Sequence, residues 1–386
     1  MSRKRIIVLH LAGQYPLAGV GWQAVHHLVG LARLGHDVYY VEDSGAPPYD
    51  PATQSIVVDP SRNVAFLRSM MERCGLGDRW AYVDVGAGAH YGMSAGRLRA
   101  LYAEADALLN VCGATELGEE HLTCPVRIYV ETDPVYEQIK LVMGDPHTER
   151  HLADHTHHFT YGEAMGTPES PIPLEKIAWR TTRPPVVLDL WDDPTHPPGD
   201  TLTTVATWRN VGKDIEFRGV RYTWSKHLNF LRFIEAPQRT SQPFELAVDP
   251  EDPDVAPLLR RHGWRVTDPY PVSRDLDAYR EYILSSRGEF TVAKDLYART
   301  HCGWFSDRSV SYLAARRPVV TQDTGFTARI PVGRGLFAFD TMDELLGAIE
   351  AVNADYPLHA NAAHEIAAEY FGAERLLARL LDDAGV

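Results

Sequence analysis

Cysteine is scarce: Cys74, Cys112, Cys124 and Cys302 are the only four in 386 residues, and no two form a C-x-x-C pair. That excludes a zinc knuckle and a disulfide framework, and it suits a reducing compartment. Long apolar runs are also lacking. No stretch approaches the roughly 20 apolar residues of a membrane span. The run inside MSRKRIIVLHLAGQYPLAG is too short for a signal peptide and reads as a buried first strand. Basic charge is the third deficit, with 38 Lys and Arg against 52 Asp and Glu, a formal net charge of −14 and no basic run. A cytoplasmic protein is expected, without nucleic acid or an anionic membrane surface as its main partner. Any anionic ligand must then be held by a local cluster of cations and backbone N–H groups.

What is present is an ordinary globular composition, 45% hydrophobic and 23% charged. A chain of 386 residues is long for one core and comfortable for two. Residues 167–200 are rich in proline (TPESPIP, TRPPVVLDLW, DDPTHPPGD), resist helix and read as an extended linker. The boundary between two domains falls near Trp179–Pro185.

Before the linker, RIIVLHL (5–11) is a continuous apolar run, the mark of a parallel strand covered on both faces. The loop AGQYPLAGVG follows, then a helix from about Trp22 to Leu34 ended by Gly35, then the strand HDVYYVED. Gly13, Gly19 and Gly21 suggest a dinucleotide-binding opening, but they do not make G-x-G-x-x-G, which argues against NAD. His26 and His27 read as packing. Further strands are ALLNVCG (107–113) and PVRIYVETD (125–133). Ligands of open parallel sheets lie outside the carboxyl ends of the strands, so Gly113, Glu131, Asp133 and the residues after Gly13 point toward one crevice. Asp133 before Pro134 reads equally as a helix cap. DHTHHFTYGEAMG (154–166) carries three histidines into a strand; alternation sends His155 and His157 to one face and His158 to the other. Only two converge without an evident third ligand, and no metal is expected.

After the linker, TLTTVATW (201–208) is a strand, and Arg209 and Lys213, four apart on a glycine-containing loop, set two cations beside one crevice. Tyr222, Trp224, Lys226 and His227 open the next helix, for stacking or for packing against the sheet. FELAVD, WRVTDP and GEFTVA are further strands. The most informative stretch is GEFTVAKDLYARTHCGWFSDRSVSYLAARRPVVTQDTGF (288–326): strand, long loop, turn, helix and strand. Ser306 or Asp307 caps the helix, and Val310, Leu313 and Ala314 give its apolar stripe. Its first turn leaves N–H groups unpaired at the positive dipole end. Gly303 permits close approach, and Arg308 and Ser309 add donors, which makes a seat for phosphate. The alternative is an ordinary βαβ unit with a solvated cap. Lys294 is a further phosphate candidate, and Asp323 and Thr324 fall at a carboxyl edge, for sugar hydroxyls or for a plain turn before Gly325.

The order of residue types over 288–326 resembles the carboxyl-terminal domain of GT-B glycosyltransferases, closest to the group 1 and CgeB-like families. Ala-Ala-Arg-Arg-Pro-Val-Val (314–320) stands where those families carry A-x-G-x-P-V-V. Their Glu-x7-Glu falls on Gly303 and Ser311, and the nearest acid is Asp307. The resemblance implies an α/β fold of two Rossmann-like domains facing across a cleft. Residues 1–182 would take the acceptor, 183–358 the nucleotide-sugar donor, and 359–386 would be a helix packing back on the first domain. A sugar would pass from a nucleoside diphosphate donor to a small-molecule or glycan acceptor, without metal or separate cofactor and with retention favoured. Arg209, Lys213 and the 303–309 turn would neutralise the leaving diphosphate, whose charge grows in the transition state. The loop of Gly13, Gly19 and Gly21 would face the cleft, and a histidine or carboxylate of 154–166, such as His157 or Glu163, would serve an acceptor hydroxyl as base; an inverting enzyme would need such a base from the first domain, Asp133 or His157. A nucleotide-sugar 2-epimerase on the same fold and a non-catalytic binding protein are the alternatives.

Overall fold

The computed structural model describes residues 3–210, 212–249 and 252–386. The first sheet holds β1 Arg5–Leu9, β2 Asp37–Glu42, β3 Trp80–Asp84, β4 Ala89–Gly92, β5 Ala107–Val111, β6 Val126–Glu131, β7 His157–Thr160 and β8 Trp179–Thr181. Their order is β8-β7-β6-β5-β1-β2-β3-β4, parallel except for the hairpin β3–β4. Ile6 of β1 lies opposite Val38 on one side and Ala107 on the other, and Ile6 to Leu9 are wholly buried. An unbroken apolar run is what cover on both faces requires. Helices α1 Ala18–Arg33, α2 Ser61–Arg73, α3 Tyr136–Val142 and α4 Pro146–Ala153 belong to this part of the chain.

The second sheet holds β9 Leu202–Val205, β10 Phe244–Ala247, β11 Arg265–Thr267, β12 Gly288–Thr291, β13 Val319–Gln322 and β14 Leu336–Phe339. It is parallel throughout, in the order β11-β10-β9-β12-β13-β14. Its helices include α5 His227–Arg232, α6 Leu276–Leu284, α7 Asp307–Ala314, α8 Met342–Ala354, α9 Tyr356–Phe371 and α10 Ala373–Ala384.

One apolar cluster joins the inner faces of both sheets through α1, α6, α7, α9 and α10. Trp22 of α1 packs on Trp191 at 4.5 Å between ring centres and donates its indole N–H to the Leu276 carbonyl at 3.1 Å. The final helix crosses back onto α1. A Cβ on Gly30 would stand 2.6 Å from Leu377 Cδ1 and 3.0 Å from Ala373 Cβ, so the absence of a side chain there lets α10 pack closely on α1 without a shift of Leu377.

Several boundaries differ from those the sequence suggests. α1 begins at Ala18, which puts Gly19 and Gly21 in its first turn rather than in a loop. The last helical segment, read as one over 359–386, is two. Val186 bonds to the backbone of Phe371 and Ala373 on either side of Gly372, and that pairing breaks the helix. The strand β8 lies in the tract read as linker, where three residues, two of them exposed, carry no apolar alternation. β14 adds a strand beyond the one that closes 288–326, the last strand read from sequence.

Candidate active site between the two sheets

The carboxyl ends of β6 and β12 face each other. Lys294, just after β12, places Nζ 2.6 Å from Oδ1 of Asp133, just after β6, and the Tyr297 hydroxyl donates to the same oxygen. Trp304 Nε1 donates to the Thr132 carbonyl at 2.9 Å, and Ala164 N–H to the Cys302 carbonyl at 2.9 Å. These contacts make a floor shared by both halves. Enclosure pushes the Asp133 carboxyl up, but the Lys294 ammonium, the Tyr297 hydroxyl and Lys213 outweigh it and hold the group below its usual range.

A buried network fixes the segment that carries Asp133. Both Glu131 oxygens accept from Gln138 Nε2, at 2.9 and 2.8 Å, and Thr160 Oγ1 donates to one of them. Gln138 Oε1 in turn accepts the Val135 N–H at 2.7 Å. Val135 has φ +84°, a left-handed conformation that costs a β-branched residue roughly 1–3 kcal/mol. Burial pushes Glu131 up to about 8 against the bonds from Thr160 and Gln138, so it is mainly a neutral acid at neutral pH.

Cations gather on the other wall. Lys294 and Lys213 both lie over the Trp224 ring, 4.0 and 5.3 Å from its centre. Arg308 of α7 gives its guanidinium to Glu289, to the Val205 carbonyl at 2.9 Å and to Thr291 Oγ1 at 2.7 Å. Lys226 is 8% exposed and forms no ion pair among the described residues, because the acids beside it, Asp133 and Glu289, are engaged by Lys294 and Arg308. Burial pushes Asp307 up to about 7; its Gln23 contact opposes this and the Asp133 charge adds to it.

The residues singled out from sequence are distributed as follows. Asp133, Lys294, Lys213, Asp307 and Arg308 share this cluster, whereas Arg209 is exposed beside His227. Gly303 has φ +83°, but its N–H bonds to the Thr324 carbonyl and a Cβ would meet Ala164 N at 2.6 Å. The close approach there is to the first half of the chain, which takes the space expected for phosphate. Ser309 Oγ, 1% exposed at the residue level, has no hydrogen-bond partner. Both Asp323 oxygens serve the turn, accepting from Gly325 N–H and Thr327 Oγ1, and Thr324 Oγ1 donates to the Trp304 carbonyl. Glu163 pairs with Arg183 at 2.7 Å. His157 opens β7 and so stands at the amino end of its strand, opposite the carboxyl edge that a base for the cleft would need. Because β7 starts there, His155 does not alternate with it; His155 and His158 pack against Tyr129 instead. In the first loop the Gly13 and Gln14 N–H groups both go to the buried Glu42 carboxylate, an internal acid where a dinucleotide fold would present phosphate. Gly21 abuts Phe66 and Leu276, and Gly19 lies near Tyr279.

Sequence reasoning gave Lys226 no specific role, and it missed Tyr297, Glu289 and Gln23. The available signal for Lys226 was a charge between two aromatic residues, Trp224 and Phe230, at the start of a helix. A cavity of about 740 Å³ between α2 and α6, lined by Arg73, Arg274 and Asp277 among others, contains none of the clustered cations.

No known family pattern and no curated protein matches the chain. Solved structures do. An alpha-glucosyltransferase in complex with UDP and DNA aligns with TM-score 0.61 at 10% identity, over 100% of both chains. AviGT4, a glycosyltransferase involved in avilamycin A biosynthesis, aligns with TM-score 0.57 at 12% identity, over 99% of this chain and 97% of that one. Sucrose-phosphate synthase from Thermosynechococcus elongatus aligns with TM-score 0.54 at 13% identity, over 99% and 100%. The first of these corrects the exclusion of nucleic acid drawn from net charge. A protein of this architecture is seen on DNA, and net charge describes a whole surface whereas a binding face is local. With two parallel sheets facing across a cleft and a last helix returning to the first, the chain has the GT-B fold.

Proposed function

We propose that the protein transfers a sugar from a nucleoside diphosphate donor, in the manner of the group 1 and CgeB-like glycosyltransferases it resembles. The observation that carries this reading is the buried Lys226, without a carboxylate partner among the described residues, beside Lys294 and the neutralised Arg308, with Lys213 sharing the Trp224 ring with Lys294. A cationic seat at a carboxyl edge matches a leaving diphosphate and stabilises its growing charge. Residues 183–358 are then the donor domain, 1–182 the acceptor domain and 359–386 the returning helix.

Asp133 is the acid nearest the seat from the acceptor side. Its carboxylate, released from Lys294 as diphosphate binds, would accept a proton from the incoming hydroxyl. Retention of configuration is carried over from the resemblance. Because lysines and an arginine meet the diphosphate charge, turnover in a chelator is expected to equal turnover without one.

The test measures nucleoside diphosphate release from a panel of UDP, GDP, ADP and dTDP sugars, with small glycosides, glycans and duplex DNA as acceptors. Acceptor-dependent release supports the transferase. Conversion of donor without acceptor would identify an epimerase, and binding without turnover a binding protein.

A further inference from the structure

Two ammonium groups share one indole ring at the edge of the cleft. Lys213 is exposed on the loop after β9, and its ammonium has the Trp224 ring as its partner among the described residues, 5.3 Å from the ring centre. A lysine's flexible stem spreads such a charge over many positions unless something holds it. Lys294 places Nζ 4.0 Å from the same ring centre, 2.6 Å from Asp133 Oδ1 and 3.3 Å from the Tyr297 hydroxyl. Like charges brought together repel, and the negative face of an indole offsets that repulsion better than any other side-chain ring. The ring is itself fixed from both halves of the chain. Trp224 N–H donates to Asp214 Oδ1 at 3.2 Å, and the rings of Tyr136 of α3 and of Tyr297 meet the indole edge-on at 5.5 and 5.8 Å. At 5% exposure it has no open face for a nucleoside base or a sugar.

We propose that Trp224 is a positioning residue of the donor seat: its ring holds the Lys213 ammonium beside that of Lys294, so that both meet the terminal phosphate of a nucleoside diphosphate. This rests on the donor seat proposed above. An ammonium carries three donors, so it stays over the ring while giving an N–H to phosphate oxygen. The cost of ordering the lysine is then met before the ligand arrives. Because the ring acts through the lysines, it controls the preference for a diphosphate over a monophosphate. A ring that stacked on the base would strengthen both alike, and one that only packed would move stability and not that preference.

Titration calorimetry of the full chain, at one pH and one salt concentration, compares UDP with UMP, GDP with GMP and ADP with AMP. Tryptophans bearing one, two or three ring fluorines are placed at position 224 alone; each fluorine weakens the negative face and barely changes the size. Diphosphate affinity is expected to fall stepwise along the series, about two- to thirtyfold in all, while monophosphate affinity holds. Lys213→Met should lose part of the same preference, and in that background the fluorine series should be flatter. Trp224→Tyr, which keeps a negative ring face, should retain more of the preference than Trp224→Leu. A preference unchanged along the fluorine series overturns this inference and leaves the donor seat standing. Equal losses for monophosphate and diphosphate also overturn it, and would make the ring a platform for the base. Failure of every nucleotide to bind removes the donor seat and the inference together. The fluorinated rings fill nearly the same space as indole, so the series decides even if Trp224→Leu does not fold.

Discussion

The carboxyl edges of the two sheets carry opposite chemistry. The first presents acids, Glu42, Glu131 and Asp133, and two of them are buried with burial as the leading cause of raised pKa values. The second presents cations, Lys226, Lys294 and Arg308, with Lys213 reaching over Trp224. Acids on the first edge are satisfied locally: Glu42 by loop N–H groups and Tyr40, Glu131 by Gln138 and Thr160. Cations on the second are satisfied only in part, and one of those satisfactions, Lys294 with Asp133, comes from the opposite half. A net charge of −14 hides this sorting, because an anion entering the cleft meets the local wall and not the average surface.

If the unpaired cation is what makes the second edge functional, Lys226→Met should lower kcat/KM about 10- to 100-fold, the ~1.5–3 kcal/mol of a charge-assisted bond. The same substitution should raise the melting temperature of the ligand-free protein, since a methionine removes the cost of holding a lysine amine in a buried position beside Arg308 and Lys294. Steady-state kinetics and a thermal melt on one preparation check both signs; loss of stability would mean that Lys226 has a partner. On the acid edge, Glu131→Ala should cost about 1–3 kcal/mol in urea unfolding, because Gln138 and Thr160 lose an acceptor and strained Val135 loses its brace. Glu131→Gln, an isostere of the neutral acid, should cost much less.

The next contrast is with pH. Burial pushes Glu131 up to about 8 and Glu42 and Asp307 up to about 7. A group raised in the folded state stabilises it below the ordinary carboxyl range and loses that contribution as pH rises through the folded value. Burial pushes His10, His26 and His155 down to about 3 and His27 to about 4. Their contribution is present above the ordinary histidine value and is lost as pH falls toward those folded values. Thermal melts should therefore show stability falling on both flanks, with the alkaline fall between neutrality and pH ~9 shallower in Glu131→Gln. The smallest effect is expected from Arg209→Ala, whose exposed guanidinium stands beside His227; a change under about threefold in kcat/KM fits a rim charge. A loss matching that of Lys226→Met would move the seat toward Arg209.

Much of the architecture was legible in advance. The central strands β1 (RIIVL) and β5 (ALLNV) announce themselves as apolar runs, because burial on both faces leaves no room for alternation, while β9 (LTTV) and β13 (VVTQ) show through their β-branched residues. The edge strand β8 gives no such signal, since it is short and two of its three residues are exposed. Part of the site was legible for the same local reason: a residue just past a strand end, such as Asp133 or Lys294, falls in the crevice by rule. Gly303 shows the limit. The sequence correctly marks a place where only glycine fits, and what approaches it is Ala164 from the other half.

Local periodicity and turn chemistry were enough for the sequence alone to determine the main strands, their connecting helices and the residues at the strands' carboxyl ends, because those properties depend on neighbours a few residues apart; the pairing of two sheets across a cleft came from the family resemblance. Only the tertiary structure decided partnership. Asp133 and Lys294 meet across 161 residues, Arg308 is neutralised by Glu289, and Lys226 is left without a carboxylate among the described residues. The physical reason is that the state of a charge depends on burial and on every other charge within several ångströms, and distance along the chain carries no information about either.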